Sequence, residues 1–310
     1  MIDVLVLRGA ADTVMLRAAV PDAVIHEADA LHAGGAYASV SVLVLRSGIR
    51  LGVRELDWLP RLRHVVRTGS GTDNIDLLAL EQRGVQLHRN AAASAPSLAE
   101  WVLTAALALS RRLLLGHNAV LRGAHTKVAC LAAPLGEMRV GIWGTGPVGL
   151  ATRHALAPHT GRITFARWPS NPAGLPELPA ETLVKECQLH VVAVPLRPET
   201  RGIIDSEFLE QAARVRPHLV CAGRLETLDV PACLRALADG HLSGLAVDGV
   251  EHEHLPLFRS SPDPLNLLIT PHIGAQRADV RRRLDQWAAD LLQHLFHPPK
   301  PTTVAVGGLR

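Results

Sequence analysis

Hydrophobic residues in this chain come in short runs that close on arginine or glycine, with amphipathic stretches between them. IDVLVLRG (2–9), VSVLVLRSG (40–48) and LRHVVRTGSG (62–71) each read as a buried strand ending in a turn. Strands alternating with helical stretches predict a parallel sheet. At SLAEWVLTAALALSRRLL (97–114) the pattern changes to one long apolar helix, with Ser94 or Ser97 as its cap. A second alternating series follows: RVGIWG, RITFAR, LHVVAVP, HLVCAG, LSGLAVDG and NLLITPH predict six buried strands of a doubly wound sheet. The last helical pattern, DVRRRLDQWAADLLQHLF (279–296), is expected to return and cover the first domain. The Pro- and Gly-rich tail HPPKPTTVAVGGLR (297–310) reads as extended or frayed.

Bulk properties narrow this picture. A length of 310 residues exceeds the usual size of one core and predicts two domains. With 48% hydrophobic and 20% charged residues the chain reads as an ordinary soluble globular protein. No apolar run reaches the roughly 20 residues of a membrane span, and the start lacks the features of a signal peptide, so a cytoplasmic protein is expected. A formal charge of +3 without a basic tract, and only 3% aromatic residues, argue against nucleic acid as a partner. The four cysteines form no CxxC pair and read as small buried thiols.

The stretch GIWGTGPVGLATRHAL (141–156) gives the first chemical signal. It follows a predicted strand and opens a predicted helix, which is where a dinucleotide fold places its pyrophosphate loop. Gly144 permits the tight turn, Gly146 lets the backbone approach the pyrophosphate, and Gly149 lets the helix lie against the strand; Pro147 suits the first helical turn. Gly144, Gly146, Pro147, Val148 and Gly149 are therefore candidate cofactor-binding residues. A NAD site normally ends the next strand with Asp or Glu, but RITFARWPSN carries Arg167 there, beside Trp168. An arginine can pair with a 2′-phosphate, so the expected cofactor is NAD(P), with NADP(H) modestly favoured over NAD(H).

Three polar residues fall at or after the ends of later strands in the same series: Arg224, Glu253 and His272. Reduction of a ketone by hydride needs one group to protonate the forming alkoxide and another to polarise the carbonyl. A histidine whose pKa is raised by a neighbouring carboxylate suits the first task, and a guanidinium the second. The HxH of His252 and His254 lacks further ligands, so no metal is expected.

Taken in order and spacing, LVLRSG, RTGSGTDNIDL, GIWGTGPVG, VPLRPETRGII, GRLETLD, LAVDGVEHEHLP and TPHIGA resemble the D-isomer-specific 2-hydroxyacid dehydrogenases, most of all the 3-phosphoglycerate dehydrogenase branch. The resemblance runs from about Val42 to about Leu292. It implies an α/β protein of two Rossmann-like, doubly wound parallel domains. The NAD(P)-binding domain (94–284) would be inserted into a flavodoxin-like substrate domain (1–93 and 285–310), with the active site between them. It also implies roles: Arg224 binds substrate, His272 is the catalytic histidine and Glu253 orients it. Asp248 would lie near the nicotinamide carboxamide, Pro195, Thr200 and Ala222 would pass the cofactor, and Gly69, Ser70 and Gly71 would receive the substrate carboxylate. The chain departs from the family pattern at Ala222–Leu225, at NAAASAP and at EHEHLP, which alters the walls around these side chains.

Arg46 and Arg67 end two first-domain strands and match in spacing the arginines that phosphoglycerate dehydrogenases of this branch use on a phosphate. The expected substrate is accordingly a small anionic 2-keto or 2-hydroxy acid bearing a second anionic group, phosphate or phosphonate ahead of carboxylate. The alternative is a dinucleotide-sensing interaction protein like the C-terminal-binding corepressors, which resemble the same family. A homodimer is expected, because the helix around Trp101 to Leu115 has little polar face.

Overall fold

A computed structural model describes residues 2–259 and 265–297. The predicted frayed tail, from Pro298 onward, lies outside the described residues. The chain divides into two compact units, Met1–Ala93 with Ala278–Arg310, and Ser94–Arg277.

In the first unit five parallel strands, β1 (Ile2–Leu7), β2 (Ala23–Ala28), β3 (Val40–Leu45), β4 (His64–Arg67) and β5 (Gln86–Arg89), stand in the order β2-β1-β3-β4-β5. This is the flavodoxin-like order. The three strands predicted from apolar runs are β1, β3 and β4. The two that the pattern missed, AVIHEA and QLHR, are the edges, where one side faces solvent and half the positions are polar. Helices α1 (Thr13–Ala19), α2 (Val53–Asp57) and α3 (Leu77–Gln82) connect them. The C-terminal helix Ala278–Phe296 belongs to this unit from its first residue, not from 285. Its Ala288, Ala289 and Leu292 pack with Val4, Val6, Val42, Val44 and Val66 on one face of the sheet. Burial of one such leucine stabilises by about 1.5–3 kcal/mol, and this buried stripe anchors a helix whose other faces are rich in arginine.

The second unit opens with α4 (Ala95–Ser110), and the single long helix expected here is in fact two. Arg111 and Arg112 leave the helical path, Arg112 at φ 51°, and α5 (Leu113–Leu121) starts afresh. Neither predicted serine cap forms its side-chain bond. Ser94 occupies the cap position without one, since Pro96 has no N–H to offer and Ser94 itself takes helical rather than extended dihedrals, and Ser97 Oγ donates instead to Gly274 O at 2.6 Å. Much of the helix's apolar content is buried inside its own unit, with Val102, Ala105, Ala106 and Leu109 in a core with Val140, Ile142, Leu156 and Val220.

Strands and helices then alternate: β6 (Val140–Trp143), α6 (Pro147–Leu156), β7 (Ile163–Ala166), β8 (Glu177–Leu178), α7 (Ala180–Glu186), β9 (Leu189–Val192), α8 (Ser206–Ala212), β10 (His218–Cys221), α9 (Val230–Ala238), β11 (Gly244–Asp248), α10 (Leu255–Arg259) and β12 (Leu267–Thr270). The sheet order is β12-β11-β10-β9-β6-β7-β8, all parallel. The six predicted strands are present; β8, two residues long, has too little sequence to show a period. The order reverses between β6 and β9, and ligands of open α/β sheets bind at the carboxyl ends of strands around such a point. Of the cysteines, Cys187, Cys221 and Cys233 are buried, whereas Cys130, in a turn after α5, is half-exposed. No helix among the described residues is long and apolar enough to cross a membrane.

Candidate active site

The glycine loop leaves β6 at the switch point. Gly144 has φ +113°, and a Cβ on it would lie 2.8 Å from Ala193 O. A Cβ on Gly149 would sit 1.9 Å from Gly144 O, so only glycine lets α6 lie this close to its strand. Gly146 differs. Its backbone is extended and a Cβ there would meet nothing within 4 Å. The protein has no steric need of glycine at 146, whereas a pyrophosphate against the α6 amino terminus does. The donor end of the ten-residue α6, opened by Pro147, with half-buried Val148 behind it, fits a dinucleotide phosphate.

The remaining candidates of this unit line the same carboxyl edge in spatial order. Past β7, Arg167 donates through Nε to Glu177 Oε1 at 2.8 Å. The sequence shows no carboxylate at the end of this strand; the fold supplies one from β8, which pairs Phe165 with Glu177. Glu177 also accepts from Asn171 Nδ2 at 2.8 Å, and these bonds, Asn171 before Arg167, hold its carboxyl below the usual range. Trp168 packs on the core with its Nε1 buried and without a protein partner. After β9, the buried Thr200 hydroxyl donates to Pro195 O at 2.5 Å and closes the loop between them. Ala222, just past β10, is buried and bonded through its amide to Val192 O.

Arg224 follows two residues later, half-buried, its carbonyl accepting from Thr227 Oγ1 at 2.6 Å. Glu253 lies on the turn His252–His254 after β11 and is exposed; the structure forms no hydrogen bond between it and His272. His254 Nδ1 accepts from the amide of Glu251. His272, two residues past β12, is half-buried and takes the left-handed conformation at φ 58°. A Cβ on Gly249 would come within 3.0 Å of His272 Nδ1, so the imidazole lies over the turn that follows β11.

Asp248 holds that arrangement. The buried carboxylate accepts from Thr270 Oγ1 at 2.7 Å, Ile273 N at 2.8 Å and Gly274 N at 2.7 Å, and so clamps the loop carrying His272. Strain at a non-glycine residue with positive φ persists only where its surroundings over-determine it, and this clamp does so. Nothing in the spacing of LAVDG announces the task.

In the first unit the loop Gly69–Gly71 is held by two guanidinium groups. Arg67, only 3% exposed, donates through Nε to Gly71 O at 3.1 Å, and Arg89 donates through Nη1 to Ser70 O at 2.8 Å. In a trans peptide the C=O and the next N–H point opposite ways. The amides of Gly71 and Thr72 therefore face away from the arginines. Arg67 thus supports the loop. Arg46, by contrast, is half-buried beside Arg281 and Asp285 of the C-terminal helix, and desolvation, followed by Arg281, lowers its pKa. Arg89, Asn171, Glu177 and Arg281 are the residues beside these candidates that sequence reasoning missed; each is a polar residue in a loop, edge strand or helix, with no motif around it.

Residues 103–274 match the family described as D-isomer specific 2-hydroxyacid dehydrogenase, NAD binding domain. The hydroxypyruvate reductase of Thermotoga maritima is 30% identical over 83% of this chain and 84% of its own length. The D-3-phosphoglycerate dehydrogenase of Rattus norvegicus is 29% identical over 78% of this chain, but the match spans only 46% of that longer protein. Among solved structures, a D-lactate dehydrogenase from Aquifex aeolicus complexed with NAD and lactic acid superposes with a TM-score of 0.82 at 20% identity, over 95% of each chain, a likeness of fold. The glycine loop at the switch point, the polar residues along the carboxyl edge and these matches together place the chain among the NAD-binding enzymes of the D-isomer specific 2-hydroxyacid dehydrogenase family.

Proposed function

We propose that this protein reduces a small 2-keto acid to the 2-hydroxy acid, with His272 as general acid and Arg224 as the group that holds and polarises the substrate. The observation that carries this reading is the succession of Arg224, Glu253 and His272 after the adjacent strands β10, β11 and β12, in the unit whose β6 leads into the glycine loop. The nicotinamide cofactor supplies the hydride when bound. His272 delivers a proton to the carbonyl oxygen, and the carbonyl carbon gains the hydride, so charge and atoms balance as alcohol forms. Glu253, on the exposed turn that follows β11, is the carboxylate we assign to orienting that imidazole. The outward amides of Gly71 and Thr72 receive the substrate carboxylate. A dinucleotide-sensing role would leave the clamp of Asp248 on the His272 loop without a task, and the enzymatic reading accounts for it.

For the substrate, we favour a 2-keto acid with a second anionic group. Arg46 and Arg281 share the single carboxylate Asp285, which leaves positive charge for a dianionic head. Relatives named hydroxypyruvate reductase and D-3-phosphoglycerate dehydrogenase support a short, oxygen-rich acid. Phosphohydroxypyruvate and phosphonopyruvate are expected to give higher kcat/KM than pyruvate, glyoxylate or hydroxypyruvate in a panel run with NADPH and with NADH. Arg46→Ala raises KM for the dianionic acids most. A wild-type preference for glyoxylate or pyruvate overturns the second anion and leaves the reductase standing; no turnover of any acid overturns the reductase. For the cofactor, Arg167 favours NADPH modestly over NADH, and Arg167→Ala removes that preference.

The assembly we propose is a homodimer formed through α5 and the turn after it. Leu113, Val120, Leu121, Val128 and Leu131 are 57–89% exposed within one continuous segment, an apolar surface of the kind monomers rarely leave in water. A second copy of the same segment is its natural cover, since one patch serves both sides of a two-fold contact. Light scattering at micromolar concentration is expected to give twice the 33.3 kDa chain mass, and Val120→Glu with Leu121→Glu to give the monomer. A wild-type monomer excludes the dimer.

A further inference from the structure

The carboxyl end of β7 carries a chain of polar contacts that nothing in the family match explains. Thr145, inside the glycine loop, donates through Oγ1 to Asn171 Oδ1 at 3.1 Å. Asn171 Nδ2 reaches both Ala166 O at 3.0 Å and Glu177 Oε2 at 2.8 Å. Glu177 Oε1 accepts from Arg167 Nε at 2.8 Å. The carboxylate is thus fixed by a donor on each oxygen, and its position is tied to the loop that would hold the pyrophosphate.

We propose that Glu177 is a specificity-determining residue that limits discrimination between NADP and NAD by neutralising Arg167. This rests on the reading that Arg167 faces the adenosine 2′ position. A 2′-phosphate brings close to two negative charges to a guanidinium already paired with one carboxylate. The attraction to Arg167 is then largely cancelled by repulsion from Glu177. A 2′-hydroxyl meets no such repulsion, and the carboxylate is an acceptor for it. The pair is half-open to solvent, with side chains 55% and 28% exposed, so its own contribution to folding is small and its removal leaves the domain intact.

The decisive variant is Glu177→Gln, which keeps length and an acceptor for Arg167 Nε while removing the charge. Isothermal titration of the purified protein with adenosine 2′,5′-bisphosphate and with adenosine 5′-monophosphate reads the effect without turnover. Affinity for the bisphosphate relative to the monophosphate is expected to rise roughly 3- to 10-fold, less at high salt, because one charge at close range in solvent is worth that much and is screened. The kcat/KM ratio of NADPH to NADH is expected to move the same way. Arg167→Ala separates the two readings. If it leaves the bisphosphate preference unchanged, the assignment of Arg167 is wrong and the proposal falls with it. If it lowers that preference while Glu177→Gln leaves it unchanged or lowers it, Arg167 stands and Glu177 is at most an orienting group, which overturns the proposal alone.

Discussion

His272→Asn is expected to lower kcat by roughly 10² to 10⁴-fold, the range that a positioned general acid contributes, while NADH binding persists. Asparagine is the better probe than alanine here. His272 stands at φ 58°, a conformation asparagine tolerates and alanine resists, so the variant removes the proton donor without unsettling the backbone that Asp248 clamps. Stopped turnover with an unchanged dissociation constant for NADH supports the assignment; near-normal turnover on the best substrate would falsify it. Glu253→Gln provides the companion result. It should shift the pH profile of kcat/KM while leaving the thermal midpoint nearly unchanged, because the carboxylate is exposed.

The second large effect divides the glycine loop by function. Gly149→Ala places a methyl 1.9 Å from Gly144 O, a backbone atom that cannot swing aside, so α6 must move off β6. Overpacking of this kind costs about 1–3 kcal/mol or more and is expected to lower the thermal midpoint and abolish dinucleotide binding together. Gly146→Ala meets nothing within 4 Å and has an ordinary extended backbone; the gain in chain entropy is offset by alanine being a poorer N-cap than glycine, so the thermal midpoint should change little. Its methyl would instead occupy the approach to the pyrophosphate, and NADH affinity is expected to fall by roughly 5- to 150-fold, the equivalent of the same overpacking range. A fluorescence titration in which Gly146→Ala binds NADH like the wild type would show that no phosphate lies there. A thermal midpoint unchanged in Gly149→Ala would remove the close helix–strand approach.

Both readings depend on how the chain encodes the site. Gly144, Gly146 and Gly149 were legible because a strand, a turn and a helix follow within a few residues; Gly144 and Gly149 answer a local steric need, and Gly146 does not. Arg224 and His272 were legible because they end apolar runs, and in a parallel sheet the ends of such runs share one edge. Arg67 was legible as an end-of-strand cation, but not as the buried support of Gly71. The homodimer rested on one apolar helix from Trp101 to Leu115. The chain breaks that helix at Arg112 and buries much of its first part, so the exposed apolar surface lies on α5 and beyond.

By itself the sequence determined the class of fold, the two-unit organisation, the central strands and the glycine loop between β6 and α6. Those features are written in local periodicity, where a run of four to six apolar residues is buried on both faces and a glycine follows. Only the tertiary structure decided that β8 brings Glu177 to Arg167, that Asp248 grips Ile273 and Gly274, that Ser97 binds Gly274 rather than capping its helix, and that the edge strands β2 and β5 complete the first sheet. Each of these joins residues 10 to 177 positions apart, or forms a strand whose solvent side erases the apolar pattern. A polar side chain carries no period that names its partner; the partner is fixed by which strands the folded core sets next to one another.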